Sequence, residues 1–136
     1  MRAAGLILAM GLAGSAFAAP ALAQEVDCAN AVAQMELTYC AEQDWLAADE
    51  ALNAAYGEAK SLMQQIDADL PKAERGAEAY LRDAQRAWIS FRDAACAAEG
   101  YAMHGGSAEP MLIYGCRARL TEQRTEDLRL LTEQPY

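Results

Sequence analysis

Apolar residues recur at steps of three and four over most of the chain, the period of a helix rather than a strand. Trp45, Ala48, Leu52, Ala55, Ala59, Leu62 and Ile66 form one such stripe, widened by Tyr56 and Met63. They predict a first helix from Gln34, softened at Gly57 and broken at Asp69-Leu70-Pro71. Pro71 suits a first helical turn, so a second helix is expected from about Pro71 to Ala98, with Gly76 as a soft spot. Inside it lies the richest run, Ala84 to Cys96 (A-Q-R-A-W-I-S-F-R-D-A-A-C). Tyr80, Ala84, Trp88, Phe91 and Ala95 share one side and are expected to fill the core. Gln85, Arg86 and Arg92 flank that stripe, where long side chains lay their stems on the core edge and hold their charges at the rim. Gly100 to Gly106 reads as a loop. Ser107-Ala108-Glu109-Pro110 then has the form of a helix start, with Ser107 as cap. A third helix to about Thr132 turns Ile113, Cys116, Leu120, Leu128 and Leu131 inward. Arg124 interrupts this stripe and is expected to reach an acidic partner at the core edge.

No stretch alternates like a strand, so the pattern predicts an all-α fold: a small antiparallel bundle of three main helices with short connections. A hairpin turning near Asp69–Pro71 brings Asp49 beside Arg92 and Asn53 beside Arg86, as half-buried pairs that set the register. The same geometry bears on Cys28, Cys40, Cys96 and Cys116. Cys40 can face Cys96 across the first hairpin, leaving Cys28 for Cys116. Alternatively, Cys96 reaches Cys116 across the second hairpin and Cys28 folds back on Cys40. The local scheme is preferred and requires the first helix to begin no earlier than about Ala33, since an unbroken helix from Asn30 carries residue 40 about 15 Å away.

The beginning of the chain changes the picture of compartment. Met1-Arg2, an apolar small-residue stretch and Ala21-Leu22-Ala23 have the form of a cleaved signal peptide, residues 1–23, leaving one domain over 24–136. The apolar part is too short for a stable membrane anchor, and no Cys directly follows the small residues for lipidation. A periplasmic or secreted domain with an even number of Cys predicts two disulfides. The spacings between the four Cys contain no C-x-x-C and His104 is the only His, so no metal site is expected. Loss of Arg2 takes the formal net charge from −9 to near −10. That argues against nucleic acid and an anionic membrane surface as partners and favours a basic protein.

The chain offers little for catalysis. A single His in a Gly-rich stretch and oxidised Cys leave no nucleophile beside a base. Carboxylate neighbours such as Asp49-Glu50 point apart on a helix. Gly105-Gly106-Ser107 lacks the strand and Lys of a phosphate loop. No cofactor is implied, and the protein is expected not to be an enzyme. The best candidate for binding a partner is Glu99 to Pro110, with Glu99, His104, Gly105, Gly106, Ser107 and Glu109. It is bracketed by Cys96 and Cys116, so a rigid loop there could enter another protein's cleft at low entropic cost. A second candidate is the acidic face of Glu36, Glu42, Asp44, Asp49, Glu50 and Glu58 on the first helix.

Taken together, these residues resemble the small secreted family named after the N-terminal domain of LprI-type lysozyme inhibitors. The likeness rests on Cys28 with Ala33-Gln34-Met35-Glu36-Leu37 and Cys40-Ala41; on Ala48-Asp49, Leu52-Asn53 and Tyr56; and on Ala84 to Asp93 with Cys96. Gly105-Gly106-Ser107, Cys116, Leu120-Thr121 and Arg124 complete it, over residues 27–130. The resemblance implies a helical, disulfide-bonded exported domain and inhibition of a c-type lysozyme or related muramidase. In that reading Ser107, His104 and the amides of Gly105 and Gly106 are donors to the enzyme's cleft carboxylates. The competing expectation is a non-catalytic envelope module for another protein or cell-wall component. Two features depart from the family: Ala33 stands where Thr often caps the first helix, and the lipid-anchored prototype's lipidation Cys is missing.

Overall fold

The computed structural model describes residues 25–133. The expected signal peptide and its cleavage point lie outside the described residues. Three helices account for most of the rest: α1 (Gln34–Asp69), α2 (Ala77–Gly100) and α3 (Glu109–Glu133), with single 3-10 turns at Lys72–Glu74 and Tyr101–Met103. Among the described residues there is no strand, and no helix is long and apolar enough to cross a membrane.

Cross-helix contacts set an up-down-up order. Arg92–Asp49 (3.4 Å) and Lys60–Glu78 (3.6 Å) run α2 antiparallel to α1. Arg124 Nε donates to Gln85 Oε1 (3.1 Å) and Arg119 pairs with Glu99 (2.7 Å), running α3 antiparallel to α2. α1 and α3 are therefore parallel, and they share the most extensive contact of the bundle. Their buried residues explain it. Ala48, Ala55 and Ala59 on α1, with Ala118, Thr121 and Thr125 on α3, are small enough to let two helices approach closely. Leu52, Ala55, Ala59, Leu81 and Leu128 form the apolar core, with Tyr56, Met63, Trp88 and Leu131 against it.

The first-helix stripe predicted from sequence faces inward, and α1 ends at Asp69. α1 begins at Gln34, with Ala33 as its cap residue. Ala33 has no side-chain oxygen, so only the Glu36 half of a capping box exists, with Glu36 Oε2 accepting from Ala33 N (3.3 Å) and Val32 N (3.4 Å). That late start gives the chain room to fold back, and Cys28 is bonded to Cys40 at a Cα separation of 5.6 Å. Cys96 is bonded to Cys116, with Cα atoms 5.4 Å apart.

The second helix differs from expectation in two ways. It starts at Ala77 rather than Pro71, because the Asp67 carboxylate accepts from the amides of Gly76 (2.8 Å), Ala77 (2.9 Å) and Glu78 (3.1 Å). Gly76 is thus the cap position rather than a weak point within the helix. The buried face is also rotated from the predicted one. Leu81, Gln85, Arg92, Cys96 and Gly100 are buried, while Tyr80, Ala84 and Phe91 are exposed and Trp88 and Ala95 lie between. Cys96 must face Cys116, and that bond turns Arg92 and Gln85, four and eleven residues before Cys96 on the same side, into the bundle. Arg124 likewise meets an amide oxygen, Gln85 Oε1, and not the expected carboxylate. Asp49 reaches Arg92 as expected. Asn53 instead hydrogen-bonds Asp49 (3.2 Å), and Arg86 is exposed.

Candidate protein-binding site

Above the apolar core sits a layer of rings and charges that supports the loop. Arg92 is only 7 % exposed. Its guanidinium carbon lies 5.2 Å from the Trp88 ring and 5.6 Å from the Trp45 ring. Its nitrogens contact Asp49 (3.4 Å) and Asp93 (3.0 Å). Arg117 covers Trp45 at 4.9 Å, and Tyr114 stacks on Trp45 at 5.7 Å. Arg117 Nε also comes within 3.4 Å of Asp93, an ion-pair distance without hydrogen-bond alignment. Burial, with the Glu42 carboxylate beside it, pushes the Tyr114 phenol up. Buried charge is tolerated here because two carboxylates and two indole faces replace its hydration.

The loop rises from this layer. Gly100 ends α2 against Ile113; a Cβ there would come within 2.5 Å of Ile113 Cγ1, so only glycine allows the approach. The chain makes one 3-10 turn and reverses at Gly105, whose φ of 75° favours glycine. Glu109, the first residue of α3, closes the turn. Its Oε1 lies 3.0 Å from His104 Nδ1, and its Oε2 accepts from Gly105 N (2.8 Å). These contacts, the His104 bond first, hold the Glu109 carboxyl below its usual range. His104 stacks on Tyr101 with centroids 4.2 Å apart and rings 2° from parallel.

The candidate residues are therefore brought into one small structure, with changed roles. Gly105 N is committed to Glu109 and Gly106 N to Met103 O (2.9 Å), so neither amide is free to serve as a donor to another protein. Glu109 braces the loop, and Glu99, in the last turn of α2, pairs with Arg119. His104 and Ser107 are exposed. The Nδ1 proton of His104 is directed to Glu109, which leaves Nε2 facing outward. Ser107 borders a shallow hollow shared with Gln34, Met35, Thr38, Tyr39 and Glu42. The hydrogen bonds at the start of α3 run to Gly106 O and Glu109 rather than to Ser107. Tyr114, which its sequence position suggests as a core-edge residue, and Arg117, which sequence reasoning missed, line an adjoining hollow with Gly105, Gly106 and Glu109. Their spacing from Cys116 was the available signal, since residues beside a bridging Cys are carried to the loop's base.

The acidic face of α1 does not act as one surface. Glu36 caps the helix, Glu42 lies against Tyr114 and Asp49 holds Arg92, whereas Asp44, Glu50 and Glu58 are exposed. Among the described residues no group of three or more His, Cys, Asp or Glu is placed to hold a metal ion.

Comparison with known proteins gives this arrangement a context. An uncharacterised protein of Rhizobium meliloti (strain 1021) is 46 % identical, over 98 % of this chain and 97 % of its own. A DUF1311 family protein from Pseudomonas putida KT2440, known by crystal structure, superposes with a TM-score of 0.64 at 29 % identity, covering 74 % of this chain and 94 % of its own. The family model described as lysozyme inhibitor LprI matches residues 27–128, which takes in both disulfides, the Arg92 layer and the loop. The chain belongs to the LprI lysozyme inhibitor family.

Proposed function

We propose that the protein is exported to the periplasm or beyond and there binds and inhibits a c-type lysozyme or related muramidase. Family membership over residues 27–128 is the observation that carries this reading. Two physical features support it. The formal charge of −9 favours encounter with a basic enzyme. The loop from Tyr101 to Ser107 is exposed throughout and braced by Glu109 and the Cys96–Cys116 bond, so little ordering entropy opposes its entry into a cleft. His104 Nε2, when the ring is charged, and the Ser107 hydroxyl are the donors offered to the cleft's two carboxylates. Tyr101 and Met103 supply apolar contact, while Gly105, Gly106 and Glu109 shape the turn.

The test is inhibition of a c-type lysozyme by the purified, oxidised protein at low and physiological salt. Stoichiometric inhibition that weakens as salt rises is expected. His104→Ala combined with Ser107→Ala should weaken inhibition by on the order of tenfold or more, with an unchanged melting temperature. Absence of inhibition even at low salt would remove the proposal.

A further inference from the structure

The outward face of α2 is apolar, and the fold makes no use of it. Tyr80, Ala84, Ala87, Phe91, Ala94 and Ala98 follow one another at alternating steps of four and three, and all six are exposed. Tyr80 is 80 % exposed and Phe91 60 %. Such spacing is that of a helix seam that packs on another helix. The line runs about 27 Å along the axis and carries no charged residue. Neither α1 nor α3 can cover it, because both pack on the Leu81–Gln85–Arg92–Cys96 side of α2.

We propose that this face is a two-fold interface, with α2 packed antiparallel on α2 of a second copy. Register carries the argument. With the axis crossing at Ile89, Tyr80 meets Ala98 of the second copy, Ala84 meets Ala94 and Ala87 meets Phe91. Every ring then stands opposite an alanine, and the surface is its own complement, as an isologous contact requires. In a parallel pairing ring meets ring at two layers and alanine meets alanine at the other four, which leaves gaps. The area fits a modest dimer. Four rings contribute about 150 Å² each, and the alanine layers and their borders bring the total toward roughly 1,200 Å², where specific interfaces begin. Association therefore depends on concentration. Because both copies are acidic, it tightens as salt rises, opposite to electrostatic capture of a basic enzyme.

Sedimentation velocity of the purified, oxidised protein from low micromolar to millimolar concentration tests this. A reversible dimer that strengthens with salt is expected. Phe91→Glu should shift the dimer constant by on the order of a hundredfold, and Ala87→Phe should weaken it by setting ring against ring. The exchange Ala87→Phe with Phe91→Ala should restore it, because the large and small partners only trade places. Circular dichroism confirms that each variant is folded, and the exchange variant keeps the test open should Phe91→Glu unfold. A monomer at every concentration overturns the proposal, as does a dimer indifferent to these changes. A monomer whose lysozyme inhibition is abolished by Phe91→Glu also overturns it and assigns the face to the enzyme.

Discussion

Arg92 shows how one side chain can hold a layer of a small bundle. Its stem crosses the helix interface and its charge ends between Trp45 and Trp88, with Asp49 and Asp93 at the nitrogens. Removing it strands an indole pair and leaves a cavity beside two carboxylates. Arg92→Ala should cost about 2–4 kcal/mol in urea unfolding. Arg92→Lys keeps the charge but loses the planar stack and the two-pronged contact, and should cost roughly half as much. A Lys variant as stable as the parent would show that charge alone, and not the sandwich, holds the layer. Glu109 works on the same scale, since one carboxylate fixes both the ring of His104 and the amide of Gly105.

Among the elements, α2 depends most on a distant residue. Asp67 closes α1 and at the same time accepts three amides at the start of α2. Those bonds, to Gly76, Ala77 and Glu78 in that order, lower the Asp67 carboxyl below the ordinary aspartate range. A depressed carboxylate stabilises the fold fully above its unfolded value and loses that contribution as pH falls through the folded one. The Asp67 contribution should therefore be complete at neutral pH and disappear in acid, below about pH 4. Asp67→Asn should lower the melting temperature at pH 7 and have a much smaller effect at pH 3. An equal effect at both values would show that the cap is steric rather than ionic. α1 and α3 show a different dependence: their close contact needs Ala and Thr at the buried positions, and a larger residue at Ala59 would force them apart.

In the whole molecule, layers stack from the Asp67 cap through the apolar core and the Arg92 layer to the Cys96–Cys116 bond and the loop. The two disulfides therefore have separable duties. Replacing Cys96 and Cys116 by Ser should cost about 2–4 kcal/mol in thermal unfolding and also lower the proposed lysozyme inhibition, because the loop loses its brace. Replacing Cys28 and Cys40 by Ser should loosen only the start of α1 and spare inhibition. If both pairs affect inhibition equally, the loop is not the contact surface. The formal charge of −9 acts at this scale too: it favours encounter with the basic partner proposed above and opposes contact between copies.

Periodicity alone was enough to determine the three helices, the end of α1, the inward stripe of α1 and the Asp49–Arg92 register, because apolar spacing and a proline act locally. It also left two disulfide schemes open, and only the start of α1 at Gln34 decides between them. The inner face of α2 was not legible. A hydrophobic stripe there was real, but Tyr80 and Phe91 lie outside while Gln85 and Arg92 lie inside. Apolarity predicts burial only when no partner exists for a polar group. Here Arg124 awaits Gln85, and two indoles with two carboxylates await Arg92. The candidate loop could be located from its glycines and bracketing Cys. Which of its groups remain free could not, because the hydrogen bonds that engage the amides of Gly105 and Gly106 exist only once α3 brings Glu109 over the turn.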